Sequence, residues 1–475
     1  MRRALAYLVS FVAVTNCLVS LPGCARFHSR PLSAEKARAD FESRTLSDPG
    51  LKVFLETNAT LPSWPPVSWN ITNLTLAAFY FHPDLDVARA QLLSARASRV
   101  AAGERPNPSV SWSPEFDTTT APLWILGVNF DIPIETMGKR GHRIAQATHL
   151  STAARLHLAE TAWQVRSRVR KRLLAIYAAE QTQTLLKKLE AIQSETARLL
   201  EAQLEAGAVS AFEVTQSRIA LNQTRFALLD AQKETALARL QLADALGVPP
   251  SALGDVSFDF ESFKQFPAAV PEMAARRQAL VSRADILAAL AEYAAAESAL
   301  ELEIAKQYPN VHLSPGYQLD QTDNKWALGL TVELPILSHN QGAIAAAEAK
   351  RTELASRFNA LQARVLSELE QAIAAYRAAV HKAEAAGSLT HELETQLRTA
   401  QGMLEAGEIS RVELAQRQVE LTTALVAQRT ALLNAQEALG ALEDALQSPA
   451  GSAAVPENSP RTQAEAVSRG RTRLK

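Results

Sequence analysis

LEAGAVSAFEVTQSRIAL runs from Leu204 to Leu221, and LEAGEISRVELAQRQVEL runs from Leu404 to Leu421. Both contain Leu-Glu-Ala-Gly, then a serine (Ser210, Ser410) and a glutamate (Glu213, Glu413) in the same places. Glycine ends a helix by accepting positive φ. Serine caps the next helix, and a glutamate three residues later completes a capping box. Each stretch therefore predicts a tight reversal between two antiparallel helices. The chain makes that reversal twice, 200 residues apart.

The surrounding sequence repeats as well. His82-Pro83-Asp84-Leu85 corresponds to Arg283-Ala284-Asp285-Ile286, PSVSWSP at 108–114 to PNVHLSP at 309–315, and NFDIPI at 129–134 to TVELPIL from 331. Offsets of 200 to 202 with a constant order of elements indicate two halves made by internal duplication. Before each reversal lies a long run without proline or turn residues, about Gly141 to Ala206 and about 342 to 406. As helix such a run reaches roughly 98 Å at about 1.5 Å per residue, a coiled-coil length. Residues 75–105, which contain only Pro83 as a breaker, also predict helix.

Between these helices the period changes to two. Trp124, Leu126, Val128, Phe130 and Ile132 point one way, and Ile125, Gly127, Asn129 and Asp131 the other. The second half repeats this with Trp326, Leu328, Leu330, Val332 and Leu334 against Ala327, Gly329, Thr331 and Glu333. Such alternation fits strands with lipid on one face and water on the other. A half-buried soluble sheet has the same period. Four strands cannot close a barrel, and lipid does not tolerate an open sheet edge. A membrane reading therefore requires several chains to share one barrel.

Arg2 and Arg3 precede an apolar run from Ala4 to Val14, and Leu-Pro-Gly-Cys follows at 21–24. This fits an export signal better than a spanning helix, because the run is short and ends at Pro22-Gly23. It resembles a bacterial lipoprotein signal cleaved before Cys24, which would then carry lipid. Cys17 falls inside the signal, so the mature chain would keep Cys24 alone and form no internal disulfide. Ala25 in place of aspartate resembles sorting to the outer membrane. The stretch from 25 to 70 is broken by Pro49-Gly50, Pro62, Pro65 and Pro66, and is expected to be an extended arm. Beyond 447 the Ser, Pro, Gly and Arg composition predicts disorder.

A formal net charge of -1 argues against nucleic acid as a partner. The nine histidines are scattered without metalloprotease spacing and read as surface or packing residues. Gly138-Lys139-Arg140-Gly141 lacks the glycines and Ser/Thr of a phosphate loop. Two cysteines and four methionines leave little from which to build a thiolate or thioether relay. No catalytic residue, metal site or cofactor is expected, and energy must come from a partner.

Signal, lipid cysteine, duplicated halves, one strand hairpin per half and two long helical hairpins together resemble the TolC-like outer membrane efflux family. The resemblance covers roughly 70–446. Pro133-Ile134-Glu135 and Gly138-Lys139-Arg140 resemble its heavy-metal branch, the cobalt-zinc-cadmium type. The second copy departs there, with Pro335-Ile336-Leu337 and Gln341-Gly342.

The resemblance implies a mixed α/β membrane protein: a homotrimer in which each chain gives four strands to a 12-stranded outer-membrane β-barrel. A long periplasmic α-helical barrel would continue it, built from the two repeats. Trp124, Leu126, Val128, Phe130, Trp326, Leu328, Leu330 and Val332 would form the barrel's outer face against outer-membrane lipid. The reversals would dock on a periplasmic adaptor (membrane fusion protein), itself joined to a proton-driven inner-membrane efflux pump. Gly207, Ser210, Gly407 and Ser410 would shape these tips, and Leu204, Val209, Leu404 and Ile409 would offer apolar contact. Glu405 and Glu408 would set acidic rings at the entrance, although a solvated helix end explains them equally well.

The implied organisation is a signal over 1–23, an arm over 24–70, a first repeat over 71–247, a linker over 248–272, a second repeat over 273–446 and a tail over 447–475. The strand hairpins are placed at about 109–134 and 311–336, and the helical hairpins at about 141–247 and 342–446. With the arm, the linker resembles a belt around the tunnel's middle. Divalent heavy-metal cations are the expected cargo, with small organic or multidrug cargo as the alternative. A periplasmic adaptor would carry one hairpin and flanking β domains; a plain coiled-coil protein would have no use for the strands.

Overall fold

The computed structural model describes residues 27–59, 63–119, 124–264, 266, 272–320 and 322–449. The signal at 1–23, Cys24 and the tail beyond 449 lie outside the described residues. Residues to Arg44 form one compact unit and those from Thr45 another. Helix α1 (Ala34–Glu42) belongs to the first, and Ser33 caps it by accepting from Lys36 N.

In the second unit, the expected extended arm is replaced in part by helix α2 (Pro49–Asn58). Pro49-Gly50 is the start of this helix rather than a break. Asp48 accepts from Leu51 N, and proline suits the first turn because its missing N–H would be unpaired there anyway. Leu51, Phe54 and Leu55 are buried. The helix expected at 75–105 is two, α3 (Ile71–Phe81) and α4 (Pro83–Ala102). His82 separates them, and its Nδ1 accepts from Asp84 N at 3.2 Å as the cap of α4.

The strand hairpins are β1 (Ser109–Phe116) with β2 (Trp124–Ile134), and β3 (Val311–Asp320) with β4 (Asp323–Val332). They form a single antiparallel sheet in the order β1-β2-β3-β4. From β2 the chain enters α5 (Lys139–Glu205), 67 residues long, and returns through α6 (Ala211–Leu246). Two short 3-10 turns and α7 (Glu272–Ser282) lead to α8 (Ala284–Ala305). After β4 come α9 (Gln341–Glu405), 65 residues long, and α10 (Arg411–Leu446). The succession helix, strand hairpin, long helix, returning helix thus occurs twice.

Packing partners give the lateral order. Towards the sheet, α4 packs on α5, α5 on α8 and α8 on α9, which matches β1 to β4. Away from it, α6 packs on α5, α5 on α10 and α10 on α9. The large apolar cores lie between these two regions. One joins α2, α3, α4, the middle of α5 and the end of α6; the other joins α7, the start of α8, the middle of α9 and the end of α10. The linker closes over this level: Trp69 bridges Phe258 in parallel, and Tyr177 packs on Phe260 and Phe263 with ring centroids 5.1 and 6.1 Å apart. Burial is therefore concentrated where these helices and the linker meet, and towards the reversals the long helices carry only small clusters.

Candidate functional site

The sheet has two chemically different faces. Register places Val110, Trp112, Pro114 and Phe116 of β1 beside Phe130, Val128, Leu126 and Trp124 of β2. The same face continues through Leu319, Tyr317 and Leu313 of β3 to Trp326, Leu328, Leu330 and Val332 of β4. These apolar side chains are open to the surroundings: Trp326 is 81%, Leu328 74% and Leu330 67% exposed. All eight residues expected on an outer barrel face share it, with Val128 partly buried. Two aromatic pairs stand together near the turns, Phe116 on Trp124 at 4.9 Å and Tyr317 on Trp326 at 4.8 Å. The other face carries Ser111, Ser113, Asn129, Asp131, His312, Gln318 and Lys325. A sheet with one polar and one exposed apolar face has the alternation of a barrel wall. Its edges β1 and β4 pair with no other strand among the described residues.

Below the sheet, Glu135 to Arg143 form a collar. Arg143 Nη1 donates to Glu135 Oε1 at 2.7 Å, and Arg143 Nε to Ala102 O at 3.0 Å. Arg140 Nε donates to Gly103 O at 2.7 Å. Lys139, nearly buried, donates to Tyr308 O at 2.5 Å and to Asn310 Oδ1 at 2.6 Å, joining the two halves. The hydrogen bond from Arg143 holds the Glu135 carboxyl below its usual range, and burial lowers the Lys139 ammonium. In the second half Asn340 does the corresponding work, with Nδ2 donating to Glu303 O at 2.8 Å. The stretch read as a metal-branch feature is thus occupied in tying the start of α5 to the end of α4 and to the connection between α8 and β3.

At the reversals, Gly207 has φ 71° and Gly407 φ 77°. Ala208 N donates to Gln203 O and Glu408 N to Met403 O, each with the glycine N–H bonded to the leucine carbonyl, which is the Schellman arrangement. The capping box is complete only at Ser410, where Glu413 N donates to Ser410 Oγ and Ser410 N to Glu413 Oε2. At Ser210 the hydroxyl accepts from Glu213 N and itself donates to Glu213 Oε1, so the reciprocal backbone bond is replaced. Leu204, Val209, Leu404 and Ile409 are half-buried, and Leu204 and Val209 pack on a cluster of Leu200, Val214 and Val412. Glu405 and Glu408 are exposed.

Phe212, which the sequence reading passed over, is 69% exposed, whereas Val412 at the equivalent place is buried between the two tips. The two reversals therefore present different surfaces. The Phe/Val difference at one repeat position was the signal available.

Several histidines bridge segments. His142 Nδ1 lies 3.0 Å from Glu301, and His157 Nε2 lies 2.9 Å from Glu292, both joining α5 to α8. His312 lies 3.0 Å from Asp131 across β2 and β3. Hydrogen bonding to Glu160 and Glu292 raises the His157 pKa to about 9. A raised value means the charged pair contributes fully below the ordinary histidine pKa of about 6.5 and is lost as pH rises through about 9. Solvent screens the pair because His157 is half exposed. His157→Gln is expected to flatten the fall in thermal stability between neutral pH and pH above 9, as measured by circular dichroism. An unchanged profile would show that the pair does not hold α5 to α8. Among the described residues, no three His, Cys, Asp or Glu side chains are grouped to hold a metal ion.

A two-faced sheet set directly on helices of more than 60 residues is the architecture of a membrane conduit, not of a catalytic cleft. The outer membrane efflux protein family model matches residues 80–248 and again 275–447, and the chain belongs to that family. It is 24% identical over 261 residues to the cobalt-zinc-cadmium resistance protein CzcC of Cupriavidus metallidurans. That match covers 54% of this chain and 61% of the relative, less than two thirds of its length.

Among solved structures, the outer membrane protein VceC of Vibrio cholerae superposes with a TM-score of 0.65 at 20% identity, over 80% of this chain and 96% of that one. The Campylobacter jejuni CmeC outer membrane channel does so with a TM-score of 0.64 at 15% identity, over 94% of each chain. CusC gives 0.64 at 16% identity, over 90% of this chain and 99% of its own.

Proposed function

We propose that the chain is one subunit of an outer-membrane channel through which a tripartite system exports solutes across the periplasm. The observation that carries this is the exposed apolar face of the sheet, with a polar face behind it and edges at β1 and β4 that pair with no other strand among the described residues. In lipid those edges must be paired by further copies. Three copies would close a 12-stranded barrel, and each α5/α6 and α9/α10 pair, one from each duplicated repeat, would line a periplasmic tunnel. Cys24 would carry a lipid anchor.

The tips at Leu204, Gly207, Val209 and Ser210, and at Leu404, Gly407, Ile409 and Ser410, would dock on a periplasmic adaptor. A proton-driven inner-membrane pump would supply the energy. Glu405 and Glu408, both exposed, would ring the entrance and favour cations by their field. The subunit itself performs transport and no catalysis.

For cargo, the reading kept is a small organic or multidrug solute. The stretch from Glu135 to Arg140 supported metal cations in sequence, but its side chains are engaged in the collar, which gives a structural reason for their presence. Heavy-metal cations remain the second reading, favoured by the name of the Cupriavidus relative.

Deleting the gene from its host and restoring it tests both. Growth inhibition would be measured across zinc, cobalt, cadmium, nickel, copper and silver, beside a panel of dyes and antibiotics. Sensitivity to organic compounds alone is the expected outcome. Sensitivity to metals alone would reverse the cargo assignment, and no sensitivity at all would count against an export role.

A further inference from the structure

On the polar face, each of the three strand pairs sets a polar side chain directly across from a glycine. Ser113 faces Gly127, Asn129 faces Gly316 and Ser314 faces Gly329. Glycine weakens a strand interior, so its recurrence at every pairing needs a cause. Backbone conformation is not the cause, because none of these three has positive φ.

Space is the cause. A Cβ at Gly127 would stand 2.9 Å from Ser113 Oγ, and one at Gly329 would stand 3.3 Å from Ser314 Cβ. At Gly316 it would stand 2.1 Å from Asn129 Oδ1 and 3.3 Å from Asn129 Cγ. The next atom it would meet, Val128 O, lies at 3.7 Å, which is ordinary contact. The Asn129 amide therefore lies flat across Gly316. A side chain there would displace the amide and leave the strand pairing in place. Asn129 is exposed on the polar face, so a displaced amide turns away from the wall.

We infer that these glycines are seats that fold lumenal side chains down against the wall, and that Gly316 with Asn129 widens the free bore at its level of the barrel. This rests on the reading of the chain as a channel whose polar sheet face lines the bore. In a ring of copies the seat recurs once per subunit, so one substitution narrows the bore on all sides. The feature suits bulky cargo, because a wall of flat-lying amides and hydroxyls excludes less of the cross-section.

The test uses the full chain reconstituted in planar lipid bilayers. Poly(ethylene glycol) of graded size, added on the barrel side, finds the largest polymer that still enters and alters the conductance. Gly316→Ala is expected to shift this cut-off to smaller polymers. Gly329→Ala, with its milder crowding, shifts it less. In the double variant Asn129→Ala/Gly316→Ala the cut-off returns to that of the wild type. That recovery separates a narrowed bore from a damaged fold, which removing an amide would not repair. An unchanged cut-off in Gly316→Ala, or no recovery in the double variant, overturns the inference. A wild-type chain that inserts without conducting would instead overturn the channel reading, and this inference with it.

Discussion

Arg170→Ala lowers the stability of the subunit by about 3 kcal/mol, the low end for removing one partner of a buried charge pair, because Arg166 still faces Glu443. Arg170 sits on α5 and is almost fully buried. Its Nε lies 3.3 Å from Glu443 Oε2, and Arg166 Nη1 lies 3.2 Å from the same oxygen. Arg170 Nη1 donates to Gln436 O at 3.0 Å and Nη2 to Gln436 Oε1 at 3.1 Å. Gln436 in turn donates to Phe263 O in the linker at 2.9 Å. One guanidinium thus joins α5, α10 and the linker, where the two halves meet. Removing it takes a counter-charge from Glu443 and two donors from Gln436.

Gly440 makes room for this group, because a Cβ there would stand 2.3 Å from Arg170 Nη1. Alanine in a helix interior is otherwise better than glycine by roughly 0.5–1 kcal/mol. Gly440→Ala should therefore destabilise the wild type yet stabilise the Arg170→Ala variant, as read by thermal unfolding of the helical circular dichroism. The same sign in both backgrounds would show that Gly440 is not there for the guanidinium.

Leu328→Arg has the second large effect. Leu328 lies mid-strand in β4 on the exposed apolar face. An arginine facing lipid near the bilayer midplane costs about 2–4 kcal/mol. The cost is paid in every copy of the barrel, so the variant should be largely lost from the outer-membrane fraction. Ala327→Arg, one residue away on the polar face, should remain there, since an aqueous bore solvates the charge. Equal loss of both, or of neither, in immunoblots of membrane fractions would contradict the assignment of faces.

The long helices, the strand hairpins and both reversals were legible in the sequence because each rests on local rules. Proline-free alanine-rich runs, a period of two, and Gly207 and Gly407 followed by Ser210 and Ser410 need no distant partner to be read. Less legible were features that depend on two readings of one residue. Pro49-Gly50 reads as a break, yet with Asp48 before it becomes a helix start. His82-Pro83 ends one helix by starting another.

The collar escaped because its partners are remote. Lys139 reaches Tyr308 and Asn310, 169 and 171 residues away, and no local pattern announces that. The same holds for Arg170, whose burial is decided by α10 and the linker. The inequivalence of the tips shows in sequence only as Phe212 against Val412, and which of the two is buried is decided by packing between the tips.

The most direct measurement of the central reading is the mass of the full chain extracted from outer membranes in mild detergent, by light scattering corrected for bound detergent. Three copies per particle are expected, because on the proposed reading three four-stranded sheets would close a barrel and leave β1 and β4 paired. A single copy that stays folded in detergent would contradict the account, since its two sheet edges would stand unpaired where lipid offers them no hydrogen bonds.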